Sequence, residues 1–210
     1  MQLSILDAIT EPGNGFFGEG GISSQAVAAS LSGSSPLEPI ELTLNSPGGS
    51  VVEGIGIYNL IASRPGGCSV TVMGMAASIA SLIAMAASPG KLTIAEGAVL
   101  MLHNPRARAF GEEDDLRATA DMLAMWRRQM VGIYARRSRQ PEAKIEKLMA
   151  AETWLDADAA IELGLADAKV APLHMAAQHD PNSIPWLKPR STARVAPRIS
   201  TVVPFAQFAR

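Results

Sequence analysis

Ser78 and His103 are residue types that could together carry nucleophilic catalysis. A serine hydroxyl is a weak nucleophile until a neighbouring base takes its proton, and the base in turn needs a group that orients it. Ser78 lies within Gly74-Met75-Ala76-Ala77-Ser78-Ile79-Ala80-Ser81. A β-branched run, Ser69 to Met73, precedes it and reads as a strand; an Ala-rich apolar run, Ile79 to Ala87, follows and reads as a buried helix. A helix start carries unpaired N–H groups and a positive dipole end, which suit a developing negative charge. Taken alone, Ser78 is better explained as a cap or a small packing residue.

Two further stretches change that balance. Asn45-Ser46-Pro47-Gly48-Gly49-Ser50 follows an alternating strand, Ile40 to Leu44. Paired glycines let backbone N–H groups approach a ligand closely, although Pro-Gly-Gly is also ordinary turn chemistry. Val99-Leu100-Met101-Leu102-His103-Asn104-Pro105 is an apolar strand ending in a histidine. A lone histidine at a strand end is more often structural, but this one belongs to a set with Ser78 and the glycine turn.

These three blocks, Asn45–Gly49, Gly74–Ser78 and Met101–Pro105, resemble in order and spacing the signature blocks of the proteolytic subunit of Clp protease. The resemblance runs from about Ile5 to about Val170, a domain-sized stretch. Glu152-Thr153-Trp154 is similar to a block of the Clp-like proteases of tailed phages and prophages, which mature the capsid. The resemblance implies an α/β fold, the Clp/crotonase-type spiral of ββα units with a protruding handle helix. It implies Ser78 as nucleophile, His103 as base, and an oxyanion hole made by the N–H groups of Gly49 and Ile79. Glu152 lies at the family's acid position, where Asp is usual. Asp156 instead precedes Ala157 to Leu163, with Gly164 as a stop, and so has an N-cap to make. Glu152 is therefore assigned to the triad, its longer side chain reaching His103 by a different path. Ser81, also on the new helix, is expected to be dispensable.

The composition bounds the rest. The chain has 210 residues, 48% hydrophobic and 18% charged, with a formal net charge of −2. That is a globular composition with one sizeable core and no electrostatic sign of nucleic-acid binding. The single cysteine, Cys68, excludes an internal disulfide and reads as a small buried hydrophobe. The N-terminus lacks the basic and apolar regions of a signal peptide. The apolar run Val70 to Ala87 falls just short of the roughly 20 residues needed to span a bilayer and divides into strand plus helix. A cytoplasmic protein without a membrane partner is expected.

Along the chain, Leu3 to Ile9 reads as a first strand, and Glu11 to Gly21 as a Gly-rich loop holding Phe16-Phe17. Ser23 or Ser24 caps a short helix to Leu31 that Gly33 ends. Ile40 to Leu44 is the second strand, and a helix from about Val51 to Ser63 is expected to bury Ile55, Tyr58 or Asn59, and Ala62. Alternating strands and helices favour parallel pairing with right-handed crossovers. A long helix starts at Glu112 to Asp115 and ends near Arg136, Arg137 and Arg139, with charges that complement its dipole. Its apolar stripe, Leu116, Leu123, Trp126, Met130 and Ile133, packs on its own domain or on a second copy. Pro141 opens another short helix, with Ile145, Leu148 and Met149 on one face. The protease domain is expected over residues 1–170. Residues 171–210, with six prolines, His174, His179, Trp186 and Phe205, read as an irregular extension.

The resemblance implies a serine endopeptidase that needs no cofactor and cleaves extended or unfolded polypeptide. The glycine turn and the strand after it are expected to pair with substrate backbone. A homo-oligomeric ring or stacked rings, and capsid proteins as partners, are implied. In the family, a segment before the first strand engages an unfoldase. Only Met1-Gln2 precede Leu3, which puts an ATPase partner in doubt. Three rivals remain: general protein degradation with an ATPase, a crotonase-like acyl-CoA enzyme, and an inactive scaffold of the same fold.

Overall fold

The computed structural model describes residues 1–12 and 21–170. The expectations for the Phe16-Phe17 loop and for residues 171–210 lie outside the described residues.

Thirteen elements follow one another: β1 (Gln2–Ile5), α1 (Ser24–Ser32), β2 (Ile40–Ser46), α2 (Val51–Ala62), β3 (Cys68–Ala77), α3 (Ile79–Ala84), β4 (Leu92–Ala95), β5 (Val99–Leu102), α4 (Glu113–Ser138), α5 (Glu142–Ala150), β6 (Thr153–Leu155), α6 (Ala157–Glu162) and β7 (Ala168–Val170). The α/β expectation holds. The sheet runs β1-β2-β3-β4-β7, and β5 pairs with β3 and β6. All pairs are parallel except β5–β6. β1 is shorter than expected, and Ile9 instead forms isolated bridges with Ile22 and Gly49.

β3 organises the molecule. Its first half, Val70–Val72, pairs with β4, and its second half, Met75–Ala77, pairs with β5. β2 follows it on the other side with a register shift between Leu44 and Ser46. At that shift the Asn45 side-chain oxygen accepts the Met75 N–H at 3.0 Å, so the donor that loses its ladder partner is still satisfied. The strand therefore continues through Gly74 to Ala77, beyond the β-branched run Ser69 to Met73.

Period-two alternation buries Ile40, Leu42 and Leu44 of β2, and Val70 and Val72 of β3. α3 is buried over its whole length. It is shorter than the expected run to Ala87, because turn bonds from Met85, Ala86 and Ala87 replace helical ones. α2 buries Gly54, Ile57 and Ile61 and leaves Ile55 and Tyr58 only partly covered, one residue round from the expected face. The chain after the glycine turn is this helix, capped by Ser50, and not a strand. The strand expected to pair with substrate after the turn is therefore absent.

α4 starts with a capping box between Glu112 and Asp115 and ends at Arg139. No residue of α4 before Met130 is buried, and Leu116, Met122 and Met125 are exposed. Met130, Val131, Ile133 and Tyr134 seat its second half on the body. The expected stripe is therefore divided: its end is core, and its beginning stands clear. Among the described residues no helix is long and apolar enough to cross a membrane. Cys68 is buried, and burial pushes its thiol up to about 11, so it stays protonated as a small hydrophobe.

Candidate active site

Sheet register brings the three signature blocks together. Ser46, the last residue of β2, pairs with Ala76, which sets the Pro47–Gly49 turn beside the end of β3. Ala77 pairs with Met101, which sets Ser78 beside the end of β5. Leu102 pairs with Thr153, and continuing that antiparallel register puts Glu152 opposite His103.

Ser78 occupies the N-cap position of α3 but makes no capping hydrogen bond. Ser23 and Ser50 do cap their helices. The explanation of Ser78 as a mere cap therefore fails. Its Oγ lies 2.7 Å from His103 Nε2, a direct hydrogen bond. Its backbone has φ 56 and ψ −129, outside the regions that a Cβ tolerates. Among the described residues three non-glycines have positive φ, and two of them are Ser78 and Glu152. Such conformations cost about 1–3 kcal/mol each and persist where surrounding structure imposes them, often at functional sites.

The turn presses against this elbow. Gly48 has φ 91, and a Cβ there would lie 2.5 Å from the Ala77 carbonyl oxygen and 2.7 Å from Ser78 Cβ. The Gly48 N–H goes to buried Ser46 Oγ at 3.1 Å, and the Gly48 carbonyl accepts from Ile9. Among the described residues the Gly49 and Ile79 N–H groups enter no hydrogen bond. Two donors, one on the turn that meets the elbow and one on the residue after Ser78, are thus without a partner among the described residues.

His103 is half-buried. Burial first, and the Arg106 guanidinium second, lower its pKa, while Glu152 opposes them. The imidazole is thus neutral at pH 7 and able to accept. For Nε2 to accept from Ser78, Nδ1 must carry the proton, and Nδ1 is buried without a partner. The expected Glu152–His103 bond is not formed here. The Glu152 carboxylate is instead paired with Arg106. That pair is exposed on both sides, so it is worth at most about 1 kcal/mol. The backbone beside the paired ends of β5 and β6 is tied together: the Met149 carbonyl accepts both the Asn104 and the Glu152 N–H. Asp156 caps α6, accepting the Ala159 N–H at 2.8 Å, as the sequence indicates.

The model of the Clp protease family matches residues 22–172. The chain belongs to the Clp protease family. As a member it is a peptidase, and its fold is the mixed α/β Clp/crotonase type. It is 33% identical over 137 residues to the ATP-dependent Clp protease proteolytic subunit 2 of Corynebacterium efficiens, covering 65% of this chain and 69% of that one. Subunit 1 of Chlamydia caviae is 32% identical over 136 residues, covering 64% of this chain and 71% of that one. The Porphyromonas gingivalis subunit is 33% identical over 145 residues, covering 68% and 64% respectively. Arg106, Ser81 and Tyr134 were not singled out as site residues by the sequence. Their contacts span 46 residues for Arg106–Glu152 and 53 for Ser81–Tyr134, beyond any local pattern.

Proposed function

We propose that this Clp-family peptidase is a serine endopeptidase with Ser78, His103 and Glu152 as its triad. The observation that carries the reading is the 2.7 Å hydrogen bond between Ser78 Oγ and His103 Nε2 at a strained strand-to-helix elbow. Ser78 Oγ attacks the peptide carbonyl while His103 takes its proton. The C–N bond then breaks, with His103 returning the proton to the leaving amine. Water repeats the sequence to release the acyl group. The oxyanion is met by the Gly49 and Ile79 N–H groups, each worth about 3–4 kcal/mol in comparable sites. Glu152 leaves the weak Arg106 pair and accepts from Nδ1 as the imidazolium forms, which satisfies the orphaned donor. Catalytic hydrogen bonds are often completed only with substrate bound.

The substrate is extended polypeptide, and the protein works as a homo-oligomer. The exposed apolar residues on the first half of α4, Leu116, Met122 and Met125, support association of that helix with another copy. The Glu152-Thr153-Trp154 block supports capsid maturation as the physiological role. Incubation with a capsid precursor and with an unfolded casein-like chain, each with and without ATP and a Clp unfoldase, tests this. Site-specific cleavage of the precursor without ATP supports capsid maturation; strict dependence on the unfoldase favours the ATP-dependent degradation that the relatives' names describe. Acyl-CoA hydrolysis without a Ser78 adduct to a fluorophosphonate would favour the crotonase reading, and neither activity nor adduct the inactive scaffold.

A further inference from the structure

Ser81 is fully buried on α3, three residues after Ser78. Its Oγ lies 2.6 Å from the Ser78 carbonyl oxygen, 2.9 Å from the Met101 carbonyl oxygen and 2.8 Å from the Tyr134 hydroxyl. A serine hydroxyl has one proton, and carbonyl oxygens only accept. The Ser81 proton therefore goes to a carbonyl, and Tyr134 must donate to Ser81 Oγ. Tyr134 is fully buried on α4, and burial holds its pKa well above the ordinary phenol value, so it keeps that proton.

The two carbonyls are the ones that define the elbow. The Met101 oxygen also accepts the Ser78 N–H at 2.9 Å, and the Ser78 oxygen also accepts the Ser81 N–H at 3.0 Å. Ser81 Oγ thus lies within hydrogen-bond distance of both the acceptor of the Ser78 N–H and the Ser78 carbonyl, its one proton shared between them or given to one, beside a residue held in an unfavourable conformation. Met101 lies on β5, two residues before His103. One hydroxyl therefore ties together the nucleophile's backbone, the strand that carries the base, and the seated half of α4. A buried, fully satisfied network of this kind fixes one geometry, because every alternative leaves a polar group unpaired. The expectation that Ser81 is dispensable conflicts with these contacts.

We propose that Ser81 and Tyr134 are positioning residues that hold Ser78 Oγ in line with His103 Nε2. The proposal rests on Ser78 being the nucleophile. Neither residue touches substrate, so their loss changes turnover and leaves substrate affinity alone.

The test uses the full chain with a short fluorogenic peptide and a fluorophosphonate probe. The variants are Tyr134→Phe, Ser81→Ala, the double variant and Ser78→Ala, each with its folded fraction measured by urea unfolding. Per folded molecule, Tyr134→Phe and Ser81→Ala are expected to lose roughly 10- to 100-fold in kcat, with KM within about twofold and probe labelling slowed in parallel. The double variant is expected to be no slower than Ser81→Ala, since the two act as one unit. Wild-type kcat in Tyr134→Phe and Ser81→Ala overturns the proposal. So does a loss that disappears on correction for the folded fraction, or the failure of both variants to fold, because either makes the contacts purely structural. Ser78→Ala separates the two readings: hydrolysis surviving in it removes the nucleophile, whereas its loss alongside normal Tyr134→Phe and Ser81→Ala removes only the brace.

Discussion

Gly48→Ala isolates the contact between the glycine turn and the nucleophilic elbow. Two penalties combine. At φ 91 an alanine pays about 1–2 kcal/mol for a left-handed backbone. Its Cβ would also lie 2.7 Å from Ser78 Cβ, against an ordinary carbon contact of about 3.5–4.0 Å. Something must move by about 1 Å, and what adjoins is the Ala77 carbonyl, Ser78 Cβ and the Ile79 nitrogen. Overpacking of this size adds about 1–3 kcal/mol, so a total stability loss of about 3 kcal/mol is expected. A displacement of about 1 Å at the reacting atom costs about a hundredfold in turnover, or about 2.7 kcal/mol of barrier. Gly90→Ala is the control: its φ is 74, but nothing lies within 4 Å of the added carbon. It should lose about 1–2 kcal/mol and no turnover. Urea unfolding and peptide hydrolysis per folded molecule read both quantities. If Gly48→Ala keeps wild-type kcat and loses no more stability than Gly90→Ala, the turn does not set the elbow.

Three further outcomes follow from the site. Glu152→Gln should lower kcat about a hundredfold or more, because an amide cannot stabilise the imidazolium, whereas Asp156→Ala should keep kcat and lose about 1 kcal/mol, or roughly 2–4 °C in Tm; the reverse pattern would exchange their roles. The base must be neutral, so kcat/KM should fall as pH drops through the His103 pKa, and its lowering by burial and Arg106 places that limb below 6.5. Arg106→Gln removes a charge that lowers the pKa and should move the limb to higher pH, while Glu152→Gln removes one that raises it and should move the limb lower; shifts of the opposite sign in a pH–rate series would contradict the electrostatics.

The parts of this molecule legible in the sequence are those governed by local rules. Ser23 and Asp156 cap helices because a short polar side chain at a helix start has one favourable use. The alternation of Ile40, Leu42 and Leu44 fixes the inward face of β2. α2 is apolar almost all round, so its periodicity does not select Ile57 and Ile61 over Ile55 and Tyr58. β4, β6 and β7 have three or four residues each and owe their form to the strands beside them. The serine, histidine and acid are singled out by the resemblance of their blocks to the family's, but side-chain direction is a tertiary matter. Glu152 shows this: its place opposite His103 follows from register, while its carboxylate answers to Arg106. Ser81 is one hydroxyl among several in a small-residue run, and only the arrival of Tyr134 on α4 distinguishes it.

The proposed chemistry depends on Ser78 acting as the nucleophile, activated by His103. Treating the purified protein with a fluorophosphonate and locating the adduct by peptide mass spectrometry tests it most directly. A single adduct on Ser78 is expected, absent in Ser78→Ala and formed more slowly, by about a hundredfold or more, in His103→Ala. An adduct on another serine, or peptide hydrolysis undiminished in Ser78→Ala, would contradict it.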